Sequence, residues 1–392
     1  MRILMVTRES AEDRRYGLGR SLAPVLAAMA QSGVEARYFC AEDVSPDAMA
    51  RRRARVDRMS RWPLFASRPD RINLLRAWAE RLHIGWLAAQ VAQREACTHV
   101  HAHDPWLACG VAIGLWRQRA NTVRWGFTEH GFGCYSRATH DDGLEQGAMA
   151  QWWLRRIERA IAARARWVTA PTRAAVEQLA RDLWLPRVPA HWRCVAHARP
   201  ALGPPTDEER RVARARFGWR EDDLVVLSVG RLVPLKCFDR VVRACAAQRG
   251  GHVALQLLGG GDPAPLVALA SSLGFAERLR IESTDEVAPY FHAADVYLSA
   301  SSTESFGLAN LEALCAGLPA LCSAVGGVPE VVGDGGWLVP NDTQTLTGAL
   351  AALVADPALR RLWRERALAR AAGWPRAATI AQDHVAIYQA AA

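Results

Sequence analysis

An α/β protein of two doubly wound halves in tandem is what this sequence predicts, on three observations. The chain has 392 residues, and a single hydrophobic core stops growing at roughly 250–300, so two domains are expected. Short apolar runs alternate with stretches of helix length, the pattern of β-α-β units and parallel sheets. That alternation breaks once, at 196–206 with Pro200, Pro204 and Pro205, and then restarts, which marks a linker. Half of the residues are apolar and 23% charged, enough for two packed cores and against disorder.

Ile3–Val6 reads as the first strand. A loop holding Gly17 and Gly19 leads into a helix over Ser21–Gln31, which Gly33 ends, and Glu35–Cys40 is the next strand. After the arginine-dense stretch 51–82, His99–Ala102 is a strand and Trp106–Trp116 a helix. Val123–Glu129 and Trp167–Ala170 are strands separated by a long charged helix, 148–166. Beyond the linker the strands are Leu224–Val229, Ala254–Leu258, Leu279–Ile281, Asp295–Ser299 and Ala320–Ser323. The helices there are Phe238–Ala247, Pro265–Ser272 and Leu308–Ala316, then 342–355, 357–371 and 376–390. Ligands of such sheets bind at the carboxyl ends of the strands, so the cleft between the halves is where a site is expected.

Of 49 basic residues 48 are arginine, and Lys236 is the only lysine. Residues 1–200 carry 31 arginines and 19 acids, a balance of +12, whereas 201–392 carry 18 basic and 21 acidic groups, a balance of −3. Eleven of the 15 tryptophans also lie in the first half. Two modules with different partners are implied. No nucleic-acid-binding motif accompanies the basic half, which argues against that polyanion. Nine scattered cysteines form no C-x-x-C pair and read as reduced, cytoplasmic thiols. The apolar N-terminal run is too short for a signal peptide, and no run of 18 apolar residues predicts a membrane span.

Two constellations carry chemistry. Gly230-Arg231-Leu232-Val233-Pro234-Leu235-Lys236 follows the Leu224–Val229 strand and precedes a helix. Arginine grips phosphate oxygens through paired N–H groups, lysine adds a point charge, and a helix N-terminus adds free N–H groups, which together suit a diphosphate. Thr303-Glu304-Ser305-Phe306-Gly307-Leu308-Ala309-Asn310-Leu311-Glu312 follows Asp295–Ser299. It places one carboxylate in a loop and another inside the following helix, where both can accept hydrogen bonds from hydroxyls of one elongated ligand. Solvated charges are the plainer reading of each alone.

The strings GRLVPLKCFD, LLGGGDP (257–263), ADVYLSAS (294–301), ESFGLANLE and GGVPEVV (326–332) resemble, in order and spacing, the retaining GT-B glycosyltransferases of glycosyltransferase family 4, the glycosyl transferases group 1. The resemblance covers 224–356 closely and residues 1–200 through a few loops. It implies a GT-B fold: an acceptor-binding Rossmann-like domain at 1–200, a nucleotide-sugar domain at 201–375, and a helix at 376–392 packing back on the first. It implies transfer of a hexose from a UDP- or GDP-linked sugar to a saccharide or lipid-linked acceptor, with retention, in surface polysaccharide, lipopolysaccharide or glycolipid synthesis. By that likeness Gly230, Arg231 and Lys236 hold the diphosphate, and Glu304 takes donor-sugar hydroxyls with Phe306, Gly307 and Leu308 beside it. Glu312 holds the ribose, and Glu282 with Ser283 lines the base pocket. Gly17 and Gly19 match a loop that approaches donor and acceptor, His130 a histidine facing the donor, and His103-Asp104 an acceptor-side loop. The family needs no metal or other cofactor, and the chain has no Asp-x-Asp triplet. Leu235 and Cys237 flank the lysine where the family commonly has an acidic residue or glycine.

Other readings stay open: a different GT-B enzyme such as a nucleotide-sugar epimerase or a phosphorylase, or a catalytically silent sugar-binding scaffold. A pyridoxal-phosphate phosphorylase would need the sole lysine elsewhere, and no G-x-G-x-x-G follows the first strand for a dinucleotide enzyme. The stretch 51–82 reads either as a solvated face or as an interfacial segment, with arginines toward an anionic inner-membrane surface and Trp62, Phe65, Trp78 and Trp86 at the boundary.

Overall fold

A computed structural model of the chain describes residues 1–9, 17–62, 69–141, 147–248 and 252–391. They form two units, Met1–Ala198 with Arg376–Ala392, and Arg199–Pro375. Each is built on a six-stranded, all-parallel sheet.

In the first unit the strands are β1 (Arg2–Val6), β2 (Glu35–Phe39), β3 (His99–Ala102), β4 (Arg124–Thr128), β5 (Val168–Ala170) and β6 (Trp192–Cys194). Their order in the sheet is β2-β1-β3-β4-β5-β6. The order reverses between β1 and β3, which opens a switch point at their carboxyl ends. β1 and β3 are buried along most of their length, as strands covered by helices on both faces must be. One face packs on helices Pro69–Arg94 and Pro105–Arg117 through Leu4, Val6, Ile84, Ala88, Leu107 and Val111. The other covers Ile3 and Met5 with Val25 and Met29 of helix Gly17–Gln31, and with Ile380, Ala381 and Tyr388 of helix Ala377–Ala390. The C-terminal helix thus returns to the first sheet.

The second unit holds β7 (Leu224–Val229), β8 (Val253–Leu258), β9 (Leu279–Glu282), β10 (Val296–Ser299), β11 (Ala320–Ser323) and β12 (Trp337–Val339). Their order is β12-β11-β10-β7-β8-β9. The chain winds outward from β7 to β9, then crosses back to start β10 on the other side, so the switch point lies between β7 and β10. Val226, Leu255, Leu257, Val296, Leu298, Val241, Val242, Leu346 and Leu350 form its core.

Helix starts follow capping chemistry. Asp104 accepts from the backbone N–H of Trp106 and Leu107, Thr172 from Ala175, and Thr206 and Glu209 cap reciprocally, each satisfying N–H groups the helix leaves open. One expectation changes. Gly17 and Gly19 do not sit in a loop; they form the first turn of helix Gly17–Gln31, since glycine tolerates the opening turn where no intrahelical bond yet depends on it. In the stretch 51–82, residues 51–60 belong to helix Pro46–Ser60 and 69–82 to helix Pro69–Arg94. Trp78 in it stacks on Trp106 at 5.2 Å, Trp86 is half-buried and Trp62 is exposed. Phe65 lies outside the described residues.

Candidate active site

The loops after β7 and β10 meet at the second unit's switch point. From β7 the chain runs through Gly230, Arg231 and Leu232 to a short 3-10 turn, Pro234–Lys236, and then helix Phe238–Ala246. Cys237, at the join, is left-handed with φ 47°. From β10 it runs through Ser301–Phe306 to Gly307, which caps helix Leu308–Cys315. Ser302 N–H donates to Leu235 O at 2.8 Å and ties the two loops together.

This arrangement brings Lys236 and Glu304 into contact: Nζ lies 2.5 Å from Oε2, with both side chains mostly shielded from solvent. The Glu304 carbonyl accepts from Gly327 N–H at 2.9 Å, so the loop is anchored on its far side as well. Gly307 has φ 79°, and an added Cβ would stand 2.4 Å from Asn310 Nδ2. Only glycine fits that turn, and Asn310 is in turn fixed by the buried Tyr297 hydroxyl, which donates to Oδ1 at 2.9 Å. Beneath the first loop Gly259 touches Gly230: a Cβ at 259 would stand 1.9 Å from the Gly230 carbonyl oxygen. LLGGGDP therefore supports the β7 loop. Gly230 faces the lysine stem, 3.2 Å from its Cε to an added Cβ.

The remaining expected residues have distinct placements. Arg231 is on the exposed side of its loop. The Phe306 ring is buried and meets Trp374 edge-on at 5.7 Å, so the backbone, not the ring, is what Phe306 offers a ligand. Leu308 opens its helix, and Glu312, one turn on, is buried. Glu282 ends β9 with an exposed side chain that accepts from Tyr290 Oη at 2.5 Å.

In the first unit, His130 follows β4 and is not alone. His103 Nδ1 lies 3.0 Å from His130 Nε2. The rings of His101, His103, His130 and His197 stack in succession at 4.7, 5.3 and 5.6 Å, and His384 of the C-terminal helix meets His101 edge-on at 5.3 Å. His101 is pinned by the Tyr388 and Thr128 hydroxyls, each at 2.7 Å. Burial holds all five imidazoles below their ordinary range, and His197 and His384 fall to about 4, because desolvation penalises the imidazolium. The alternation His101–His103 shows in the sequence, but the contributions of residues 197 and 384 come from elements far along the chain. Among the described residues no three His, Cys, Asp or Glu side chains are arranged to hold a metal ion.

Asp104 is explained locally: it caps its helix and pairs with Arg81 at 2.7 Å. Two buried carboxyls beside it escaped sequence reasoning. Glu129 accepts from Gly131 N–H at 2.8 Å and Glu158 from Ser136 N–H at 3.1 Å. Burial raises both, Glu158 to about 8. The second oxygen of each, and Nε2 of His103, have no hydrogen-bond partner among the described residues; such buried polar atoms call for one.

Comparison with known proteins agrees with this geometry. The model described as "Glycosyl transferases group 1" matches residues 209–370, and "Glycosyl transferase 4-like domain" matches 16–192. A D-inositol 3-phosphate glycosyltransferase of Streptomyces avermitilis is 36% identical over 213 residues, 49% of this chain and 44% of that protein. The chain thus spans less than half the length of this curated relative. Sucrose-phosphate synthase from Thermosynechococcus elongatus superposes with a TM-score of 0.75 at 20% identity, covering 99% of this chain and 98% of that one. HepE of Anabaena, solved in complex with UDP, gives 0.70 at 16% identity, covering 99% and 100%. With a family model on each half and the GT-B architecture throughout, the chain belongs to the group 1 glycosyltransferases, with a family 4-like N-terminal half.

Proposed function

We propose that the protein transfers a hexose from a nucleoside-diphosphate sugar to a saccharide or lipid-linked acceptor, retaining the anomeric configuration. The observation that carries this reading is the Lys236–Glu304 pair at the β7/β10 switch point. One partner suits a diphosphate and the other a sugar hydroxyl, so a donor spanning the pair has its scissile bond between them.

As the bond from the anomeric carbon to the phosphate oxygen breaks, charge grows on the diphosphate. Lys236 and Arg231 offset it, and the free N–H groups at the start of helix Leu308–Cys315 add to them. Gly230, without a side chain, lets the phosphates approach the backbone. Glu304 accepts from donor-sugar hydroxyls, with the backbone of Phe306, Gly307 and Leu308 alongside. Glu312 takes the ribose and Glu282, steadied by Tyr290, the base edge. In the first unit, His130 serves the donor, and the N–H groups of the Gly17–Gly19 turn serve donor and acceptor. No side chain is assigned as a nucleophile, and no metal or cofactor has a part. The likeness to HepE, seen with UDP, makes a uridine-diphosphate hexose the first donor to try. A lipid-linked acceptor would bring the protein to an anionic membrane face. No helix among the described residues is long and apolar enough to cross a membrane.

The test is incubation with UDP-, GDP- and ADP-hexoses and a panel of saccharide and lipid acceptors, with the product anomer assigned by NMR. A glycoside of the donor's configuration is expected. Inversion would overturn the retaining assignment, and failure to bind or turn over any donor would favour a silent scaffold.

A further inference from the structure

Two adjoining cavities lie at the amino edge of the first sheet, opposite the loops that follow its strands. A groove of about 480 Å³ runs between helices Pro105–Arg117 and Ala148–Arg164, lined by Ile113, Trp116, Trp125, Trp153 and Ile157. A pocket of about 290 Å³ beside it is lined by Arg124, Arg164 and Arg166, and shares Trp116 and Trp125 with the groove. The rim is apolar and open: Trp116 is 75% exposed and Trp153 56%, with Met149 and Trp152 extending the patch along the same helix. Isolated exposed apolar residues are ordinary, whereas a contiguous patch marks a contact surface.

Among the described residues the charge next to this patch is uncompensated. Neither cavity has an acidic lining residue, and among the described residues no carboxylate pairs with Arg124, Arg156, Arg164 or Arg166. Arg124 and Arg164 each donate one bond to a neighbouring carbonyl, a fraction of the five donors a guanidinium carries. Arg156 lies over the Trp152 ring at 4.8 Å. A second copy seated here by two-fold symmetry would set these arginines against themselves, and nucleic acid would leave the apolar floor uncovered. An apolar trough ending in three arginines and rimmed by tryptophans matches an anionic amphiphile at a lipid interface.

We propose that this face docks on an anionic phospholipid bilayer. Trp116 and Trp153 enter the headgroup–acyl boundary, an acyl chain lies in the groove, and Arg124, Arg164 and Arg166 hold a lipid phosphate. Docking there keeps the carboxyl-edge loops of the same unit clear of the bilayer. The inference does not rest on the transfer reaction, because lipid binding is measured without any sugar nucleotide.

The experiment is flotation of the full chain with phosphatidylcholine vesicles, with and without phosphatidylglycerol, at low salt. The wild type is expected to float only with the anionic vesicles. The triple variant Arg124→Gln, Arg164→Gln, Arg166→Gln should bind about 100-fold more weakly, since each basic residue near the surface is worth about fivefold. The double variant Trp116→Ser, Trp153→Ser should lose flotation and, in vesicles of brominated lipid, the quenching of tryptophan emission. These side chains sit outside the core, so unchanged circular dichroism and melting keep the result interpretable. Equal flotation with neutral vesicles, variants that bind like wild type, or a loss that follows Arg53→Gln, Arg55→Gln instead would each overturn the proposal. So would a concentration-dependent dimer abolished by the tryptophan changes.

Discussion

Lys236 is the residue on which most of the chemistry turns. A chain that uses arginine everywhere else keeps one lysine, and it lies 2.5 Å from the loop carboxylate of a second motif 68 positions away. In the resting protein the pair is a partly exposed ion bridge, worth about 1 kcal/mol or less. Lys236→Ala should therefore leave the melting temperature nearly unchanged while lowering kcat/KM for transfer about 100- to 1,000-fold, the usual cost of removing a donor aimed at developing charge. Lys236→Arg should rescue little, because a planar fork does not replace a compact ammonium. A steady-state comparison of the two variants checks both. Much of this was legible in sequence, since motif spacing names Lys236 and Glu304. What the motif hides is that Phe306 turns inward onto Trp374, as packing decides which side of a loop a side chain takes.

At the scale of elements, short strands and close approaches make the site. Gly259 follows β8 and lies against the Gly230 carbonyl, so Gly259→Ala must push the phosphate loop away. It should cost about 3 kcal/mol of stability and most donor affinity together, seen as a lowered denaturant midpoint and a weakened nucleotide titration. Helix Ala377–Ala390 gives a second case. Tyr388 is fully buried against Trp167 and His101, so Tyr388→Ala should cost about 3–5 kcal/mol, and Tyr388→Phe, which loses the hydroxyl's bonds to His101 and Met5 Sδ, about 1 kcal/mol. Urea unfolding of the two separates packing from hydrogen bonding. The long apolar strands and capped helices were readable, but β6 and β12, of three residues each, are too short for periodicity to register. The aromatic residues of Pro69–Arg94 stayed ambiguous in sequence between a solvated face and a lipid boundary, because a helix hides which of its faces is covered until its partner, Pro105–Arg117, is known.

For the molecule as a whole, two sets of buried groups, both in the first unit, give opposite pH responses. Histidine titrates at about 6.5 in an unfolded chain, while the buried His197 and His384 do so at about 4. The unfolded state thus binds more protons across that window, and stability falls on acidification by about 1.4 kcal/mol per pH unit per histidine. Glu158, raised to about 8, keeps a proton that the unfolded chain loses above about 4.5, so its contribution is lost as pH rises through that range. Five imidazoles outweigh the carboxyls Glu129 and Glu158 below about pH 6.5, and the carboxyls act alone above it. A melting-temperature maximum near pH 6.5 is expected, with His384→Gln flattening the acid limb and Glu158→Gln the alkaline one. The overall charge pointed to two modules, and the basic half proved to hold its arginines beside an apolar groove, a juxtaposition no one-dimensional pattern contains. The central claim is that the β7/β10 switch point is a diphosphate-sugar clamp, and calorimetric titration of the wild type and the Lys236→Ala and Glu304→Gln variants with UDP and a UDP-hexose tests it most directly. The clamp predicts that Lys236→Ala loses affinity for both ligands, and that Glu304→Gln loses it for the sugar nucleotide while still binding UDP. Unchanged affinities in both variants, in a wild type that binds, would contradict it.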